Sequence, residues 1–197
     1  MRKTIIVTLI VVILLSVFGG IVYAQSIHEP MEGQKLVSWG NVGIAPGNKN
    51  YIAYTMFSLN NPDCINQITI DKVSVFKYDA TVIYEGPPLV GMQAVELTTP
   101  LEPHQTIDIQ LPYYILVFEC GMDPNPSTWP ADPKDYWPDV SQYTIEVFWS
   151  AVKDSLPLTG WAWMPLLGED EEGNYTIPLM SNTSQMINME QISIKSK

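Results

Sequence analysis

Trp129, Tyr136 and Trp137 stand close together in a stretch that also carries Asp123, Asn125, Asp132, Asp135 and Asp139. Flat aromatic faces beside carboxylates suit sugar rings, whose C–H faces stack while their hydroxyls hydrogen-bond. Clustered side-chain oxygens also suit Ca²⁺. The candidate ligand-binding set is therefore Trp129, Tyr136, Trp137, Asp132 and Asp135. The same aromatics have a structural use, which is to lie back on the body of the protein and pin a long loop.

Other chemistries find few residues to work with. His28 and His104 are the two histidines, and His104 sits in a turn phrase where a solvated ring is the ordinary outcome. Blue copper needs two His and a Cys, but Cys120-Gly-Met122 has no histidine nearby. A Ser-His-Asp hydrolase would have to recruit one of these two rings without a Gly-x-Ser-x-Gly elbow. Phosphate-binding glycine motifs are absent. Paired carboxylates for glycoside hydrolysis always exist among 21 acids, so an envelope hydrolase stays open only as a third reading. The acidic run Glu169–Glu172 falls short of EF-hand spacing and reads as a solvated hairpin tip. Asn174 and Asn182 head two glycosylation sequons. No catalytic residue, metal ligand or cofactor is assigned.

The formal net charge is −11, from 10 Lys and Arg against 21 Asp and Glu. A surface of that sign repels phosphate backbones and anionic headgroups, which excludes nucleic acid as an expected partner. Met1-Arg2-Lys3 precedes an uncharged Ile, Val and Leu-rich run from Thr4 to Ala24. This is the layout of an export signal, with Val22 and Ala24 at the −3 and −1 positions of a cut before Gln25. The run is also about as long as the ~20 residues that span a bilayer, so an uncleaved signal anchor is the rival. Either way the basic flank stays inside and the rest is expected outside, secreted or held at the outer face of the cytoplasmic membrane. The membrane then concerns residues 1–24 alone. In that compartment Cys64 and Cys120 are expected to form a disulfide, because one Cys pair without nearby His cannot complete a tetrahedral metal site.

The elements that must position these residues read as strands. Sixteen prolines break the chain too often for long helices. Thr69–Leu111 reads as a hairpin turning at Asp79-Ala80-Thr81, followed by a strand over 106–111, and is taken as the organising stretch. Within it, Ile68 and Ile70 share one parity and Val73 and Val75 the other, which predicts a β-bulge near Asp71-Lys72. Short strands are expected at 36–39 and 41–44. Longer ones are expected over Tyr51–Leu59, Tyr113–Cys120, Tyr143–Ala151, Leu158–Leu167, Tyr175–Met180 and Met186–Ile194, with a weaker candidate at Met92–Leu97. Five prolines make 121–141 a long surface excursion.

Short strands with turn signals predict an all-β domain over residues 25–197, an antiparallel β-sandwich preceded by one N-terminal hydrophobic helix. Leu101-x-Pro-His-x-Thr-x-x-Ile-x-Leu111, followed by Ile145-Glu-Val-Phe-Trp-Ser-Ala151, loosely resembles immunoglobulin-like and fibronectin-type β-sandwich modules of exported proteins. It also resembles small secreted domains of unassigned function. The tryptophan that antibody domains set between their cysteines is absent, so the resemblance extends to architecture. Function does not travel with it. The expected function is a non-catalytic, extracytoplasmic binding or structural protein of the cell envelope, its partner an envelope protein or a glycan. The alternative is a carbohydrate-binding module that uses the loop aromatics.

Overall fold

A computed structural model of the chain describes residues 34–45, 51–172, 175–176 and 185–193. The N-terminal hydrophobic segment, His28 and both sequon asparagines lie outside these residues. Among the described residues no helix is long and apolar enough to cross a membrane.

The fold is mostly β, with antiparallel sheets. A large sheet runs β12 (Tyr175–Thr176), β11 (Leu166–Glu169), β2 (Tyr51–Ala53), β1 (Gln34–Ile44), β9 (Ser141–Ala151), β4 (Ile68–Lys77) and β5 (Val82–Gly86), and β14 (Glu190–Ser193) also pairs with β1. A four-stranded sheet runs β13 (Gln185–Asn188), β10 (Thr159–Met164), β3 (Met56–Asn60) and β8 (Thr106–Gln110). The ribbon β6 (Leu89–Val90) and β7 (Val95–Glu96) stands apart.

Strand β9 sits between β1 and β4, and its alternation is the one expected. Tyr143, Ile145, Val147, Trp149 and Ala151 are all buried. They share one core with Val73 and Val75 of β4, and with Phe57, Leu59, Ile109 and Ala162 of the smaller sheet. Phe148, on the opposite face, lies under Lys72 Nζ at 4.5 Å and Lys35 Nζ at 5.7 Å. The β4–β9 register slips between Ile70 and Lys72, so the bulge stands where the parity change placed it. The β4–β5 hairpin also closes at the expected turn, where Lys77 N–H donates to Thr81 O at 2.9 Å and Ala80 takes φ +67°.

Several expected strands divide or merge. The segments 36–39 and 41–44 are one strand, β1, because Gly40 and Gly43 leave room where the chain is approached closely. A Cβ on Gly43, which has φ +136°, would lie 2.4 Å from Val140 Cα. Tyr51–Leu59 is two strands in two sheets, broken at Tyr54-Thr55, and Leu158–Leu167 breaks at Pro165 in the same way. The two broken segments are paired with each other on both sides of the break, so they turn the corner between sheets together. Pro165 cannot donate to a ladder, and its carbonyl receives Tyr54 N–H at 3.3 Å. Thr55, fully buried at the corner, both accepts from Asn41 N–H and donates to Asn41 O, each at 2.9 Å. The last segment likewise divides, at buried Met189, into β13 and β14. Val95–Glu96 is the strand within Met92–Leu97, and Tyr175–Thr176 is the described part of Tyr175–Met180.

Tyr113–Cys120 is not a strand. Residues Leu111–Tyr114 form α1, and Ile115–Glu119 continue it as a π-helical turn closed by Cys120 N–H on Ile115 O at 3.0 Å. Pro112 falls in the first helical turn, where its missing N–H is no loss. A short continuous apolar run fits a buried helix as well as a buried strand, and proline placement decides between them.

The expected disulfide is also corrected, because Cys64 and Cys120 are free and exposed. Cys64 precedes the Ile68 end of β4. Cys120 follows Glu119, which is ion-paired to Lys77 at the other end of the strand. Ten strand residues separate those ends by about 30 Å, whereas a bridge needs Cα atoms within about 7 Å.

Candidate functional site

The long excursion is tied down by its own side chains. Its prolines start two short 3₁₀ turns, Pro126–Thr128 and Pro133–Asp135, each capped by the preceding residue. Asn125 Oδ1 accepts Ser127 N–H at 3.1 Å, and Asp132 Oδ1 accepts Lys134 N–H at 2.9 Å. Asp123 Oδ1 in turn accepts Asn125 N–H at 2.7 Å. Lys134 Nζ meets Glu169 Oε1 at 2.5 Å, joining the loop to β11. The end of the excursion is sewn to β1 through Ile44 N–H to Pro138 O at 2.8 Å and Val140 N–H to Ile44 O at 2.9 Å.

These bonds decide what the candidate residues can do. Asp132 spends one carboxylate oxygen on a cap, and Asp135 stays exposed at the end of the second turn. Among the described residues no group of three or more His, Cys, Asp or Glu side chains is placed to hold a metal ion. The predicted aromatics are separated. Trp137 turns inward, stacks on Tyr54 with ring centroids 6.3 Å apart, and packs against the core. Trp129 stays half-buried, donates its indole N–H to Asp123 O at 2.7 Å, and meets Tyr136 at 5.8 Å. Trp129 and Tyr136 are therefore a pair, and Trp137 is not part of their surface.

Sequence reasoning missed the partners of that pair. Trp129 stacks on Tyr113 of α1 at 6.1 Å and 29°; Tyr113 meets Phe118 edge-on at 6.5 Å, and Phe118 meets Tyr84 of β5 at 4.7 Å. An aromatic stripe thus runs from β5 across the helix to the loop, and Phe118 within it is 44% exposed. Tyr113 OH donates to Pro124 O at 2.9 Å, beside a groove of about 830 Å³ lined by Met92, Gln93, Val95, Pro124, Pro126 and Ser127. The signal was the doublet Tyr113-Tyr114 with Phe118, which a strand reading scatters over two faces and a helical turn gathers. Tyr114 points inward; its hydroxyl accepts Leu89 N–H at 2.8 Å, and burial raises its ionisation far above the usual tyrosine range.

A second polar cluster closes the helix end onto the sheet. Glu119 accepts the buried Tyr143 hydroxyl on Oε2 at 2.9 Å and pairs with Lys77 through Oε1. Burial, then the Glu119 carboxylate, holds Tyr143 well above the ordinary tyrosine range, and burial also pushes the neighbouring Cys120 thiol up. Both Glu119 oxygens are occupied by chain partners, which makes this a clamp between helix and sheet. His104 is exposed in its turn with φ +61°. Smaller clefts lie among the described residues. One of about 360 Å³ is lined by Asn66, Gln67, Thr69, Pro100 and Ser150, and one of about 260 Å³ by Val37, Ser38, Trp39, Thr144 and Ile187.

No family model matches this sequence, and the search of curated proteins found no match. Among solved structures the chain is similar to the crystal structure of Thermotoga maritima 1070 at 8% identity, over 84% of this chain and 99% of that one. The TM-score is 0.37, a likeness that carries no argument about fold or function.

Proposed function

We propose that this chain is a non-catalytic, extracytoplasmic binding or structural protein of the cell envelope. It is secreted, or held at the outer face of the cytoplasmic membrane by residues 1–24, and its body is an antiparallel β-sandwich of the immunoglobulin-like kind. The observation that supports this best is the aromatic stripe on a β scaffold, in which Tyr84, Phe118, Trp129 and Tyr136 are partly exposed around the buried Tyr113. Rigid rings in contact, backed by a sheet, supply contact area at little entropic cost. The test is a C-terminal alkaline phosphatase fusion combined with cross-linked co-purification from intact envelopes. Activity of the fusion and a reproducible envelope partner are expected. A fusion active only when the protein is forced into the periplasm by an added signal would refute the proposal.

The Trp129–Tyr136 pair favours a second reading, in which the loop recognises a glycan. Loss of glycan-array binding in Trp129→Ala would support it, and no signal on any glycan would end it.

A further inference from the structure

Strand alternation gives the smaller sheet an outer face unlike any other surface of the described chain. Along β10, Gly160, Ala162 and Met164 are buried while Trp161 and Trp163 are half-exposed on the opposite side. Two residues apart on one strand, their Cα atoms stand about 7 Å apart and both rings project from the same pleated surface. The register gives each a defined neighbour. Trp161 lies between Ser58 and Asn188, and Trp163 between Met56 and Met186, the last being 68% exposed. One strand further, Asp108 lies opposite Ser58 and Gln110 opposite Met56.

The charge on this face is as telling as its rings. Strands β3, β8, β10 and β13 contain no Lys or Arg, and Asp108 is their one acid, in a chain of net charge −11. A polyanion would find no cation here, and a polycation would find denser acid elsewhere, as at Glu169–Glu172. What the face offers is two apolar platforms and, two strands across from Trp161, one carboxylate. Ser58 Oγ already donates to Asp108 Oδ1 at 2.6 Å, the kind of bond a sugar hydroxyl would make to the other oxygen. Gln110 Nε2 is turned to Met56 Sδ at 3.0 Å and its Oε1 is buried, so the acceptor this face presents is Asp108.

From this juxtaposition we infer that the outer face of the four-stranded sheet binds a neutral polysaccharide. Successive rings stack on Trp161 and Trp163, and a hydroxyl donates to Asp108. The inference rests on the binding reading above but places the contact on a sheet face instead of the loop.

The experiment uses the full chain in a detergent without sugar headgroups. Electrophoretic retardation in gels containing hydroxyethylcellulose, mixed-linkage β-glucan or dextran is measured, and the retarding polymer is followed by calorimetry. Retardation by at least one polymer is expected, with Trp161→Ala and Trp163→Ala each weakening affinity about tenfold and Asp108→Ala about threefold. In the unmodified protein the bound polymer is expected to protect Trp161 and Trp163 from N-bromosuccinimide oxidation, mapped by peptide mass, which needs no folded variant. No retardation by any of the three polymers would overturn the inference. So would retardation by polylysine alone, unprotected Trp161 and Trp163 in the complex, or loss of binding confined to Trp129→Ala. Each of those results leaves the envelope fusion and co-purification untouched, so failure of the sheet face and failure of the envelope reading are separable.

Discussion

Asn61 is a fully buried polar side chain at the end of β3, and replacing it tests whether one amide holds two distant loops to the sheet. Its Nδ2 donates to Asn66 O at 2.9 Å, Leu101 O at 3.1 Å and Glu102 O at 3.2 Å, and its Oδ1 accepts Asp63 N–H at 3.0 Å. In Asn61→Ala, Leu101 O keeps its bond from Ile68 N–H at 3.1 Å, and Glu102, on an exposed residue, can turn to water. The buried Asp63 N–H is left unpaired, which costs about 1–3 kcal/mol, and the weakened carbonyl bonds and small void add about 1 kcal/mol. The expected loss is about 2–4 kcal/mol, read by urea unfolding at constant m-value, or a fall in Tm of about 4–16 °C. Asn61→Asp separates polarity from volume. It keeps the shape but sets a carboxylate against three carbonyl oxygens, so it should be the worse variant at neutral pH. Its folded-state pKa is expected above the unfolded value of about 3.9, so its deficit against the parent should shrink on acidification. A loss below about 1 kcal/mol in Asn61→Ala, or an Asn61→Asp deficit unchanged between pH 7 and 4, would refute this account.

Three further outcomes follow from the same geometry. Backbone N–H donors of Asn66, Ile65 and Leu156 hold the Asp63 carboxyl far below its usual range, so its stabilisation is complete above the unfolded pKa of about 3.9 and is lost only in stronger acid. Asp63→Ala should accordingly flatten the acid limb of a stability-versus-pH curve measured by thermal unfolding. Native alkylation followed by mass measurement should modify both Cys64 and Cys120 without a reductant, and Cys120, whose thiol ionisation is pushed up by partial burial, should react faster as the pH is raised. A mass two hydrogen atoms short that resists alkylation would contradict the structure. Gly43→Ala should cost at least about 2 kcal/mol in urea unfolding, because the left-handed φ and the 2.4 Å approach to Val140 Cα cannot both be relieved.

Much of the fold follows from local pattern. Period-2 alternation over Tyr143–Ala151 names the buried face of β9 without reference to anything else, because side chains of a strand must alternate. The parity change around Asp71-Lys72 implies a bulge for the same reason. The Asp79-Ala80-Thr81 turn and the irregular 121–141 excursion also depend on nearest neighbours alone. Where a strand changes sheet is different. Tyr51–Leu59 and Leu158–Leu167 read as single strands because nothing in one of them announces that the other breaks beside it; Thr55 and Pro165 make the corner together. The organising position likewise passes from the β4–β5 hairpin to β9 and β1, since strand order is a property of long-range pairing.

The candidate sites divide along the same line. Composition put Trp129, Tyr136 and Trp137 together in one loop, and periodicity put Trp161 and Trp163 on one face. Only the tertiary structure turned Trp137 against Tyr54, gathered Tyr113 and Phe118 beside Trp129 through a helix, and set Asp108 across β3 from Trp161. It also placed Cys64 and Cys120 at opposite ends of β4, where their compartment would have paired them. Local conformational preference acts over a few residues and can be read from them. Contacts between segments 40 or 100 residues apart depend on how whole sheets pack, and no short window of sequence contains that information.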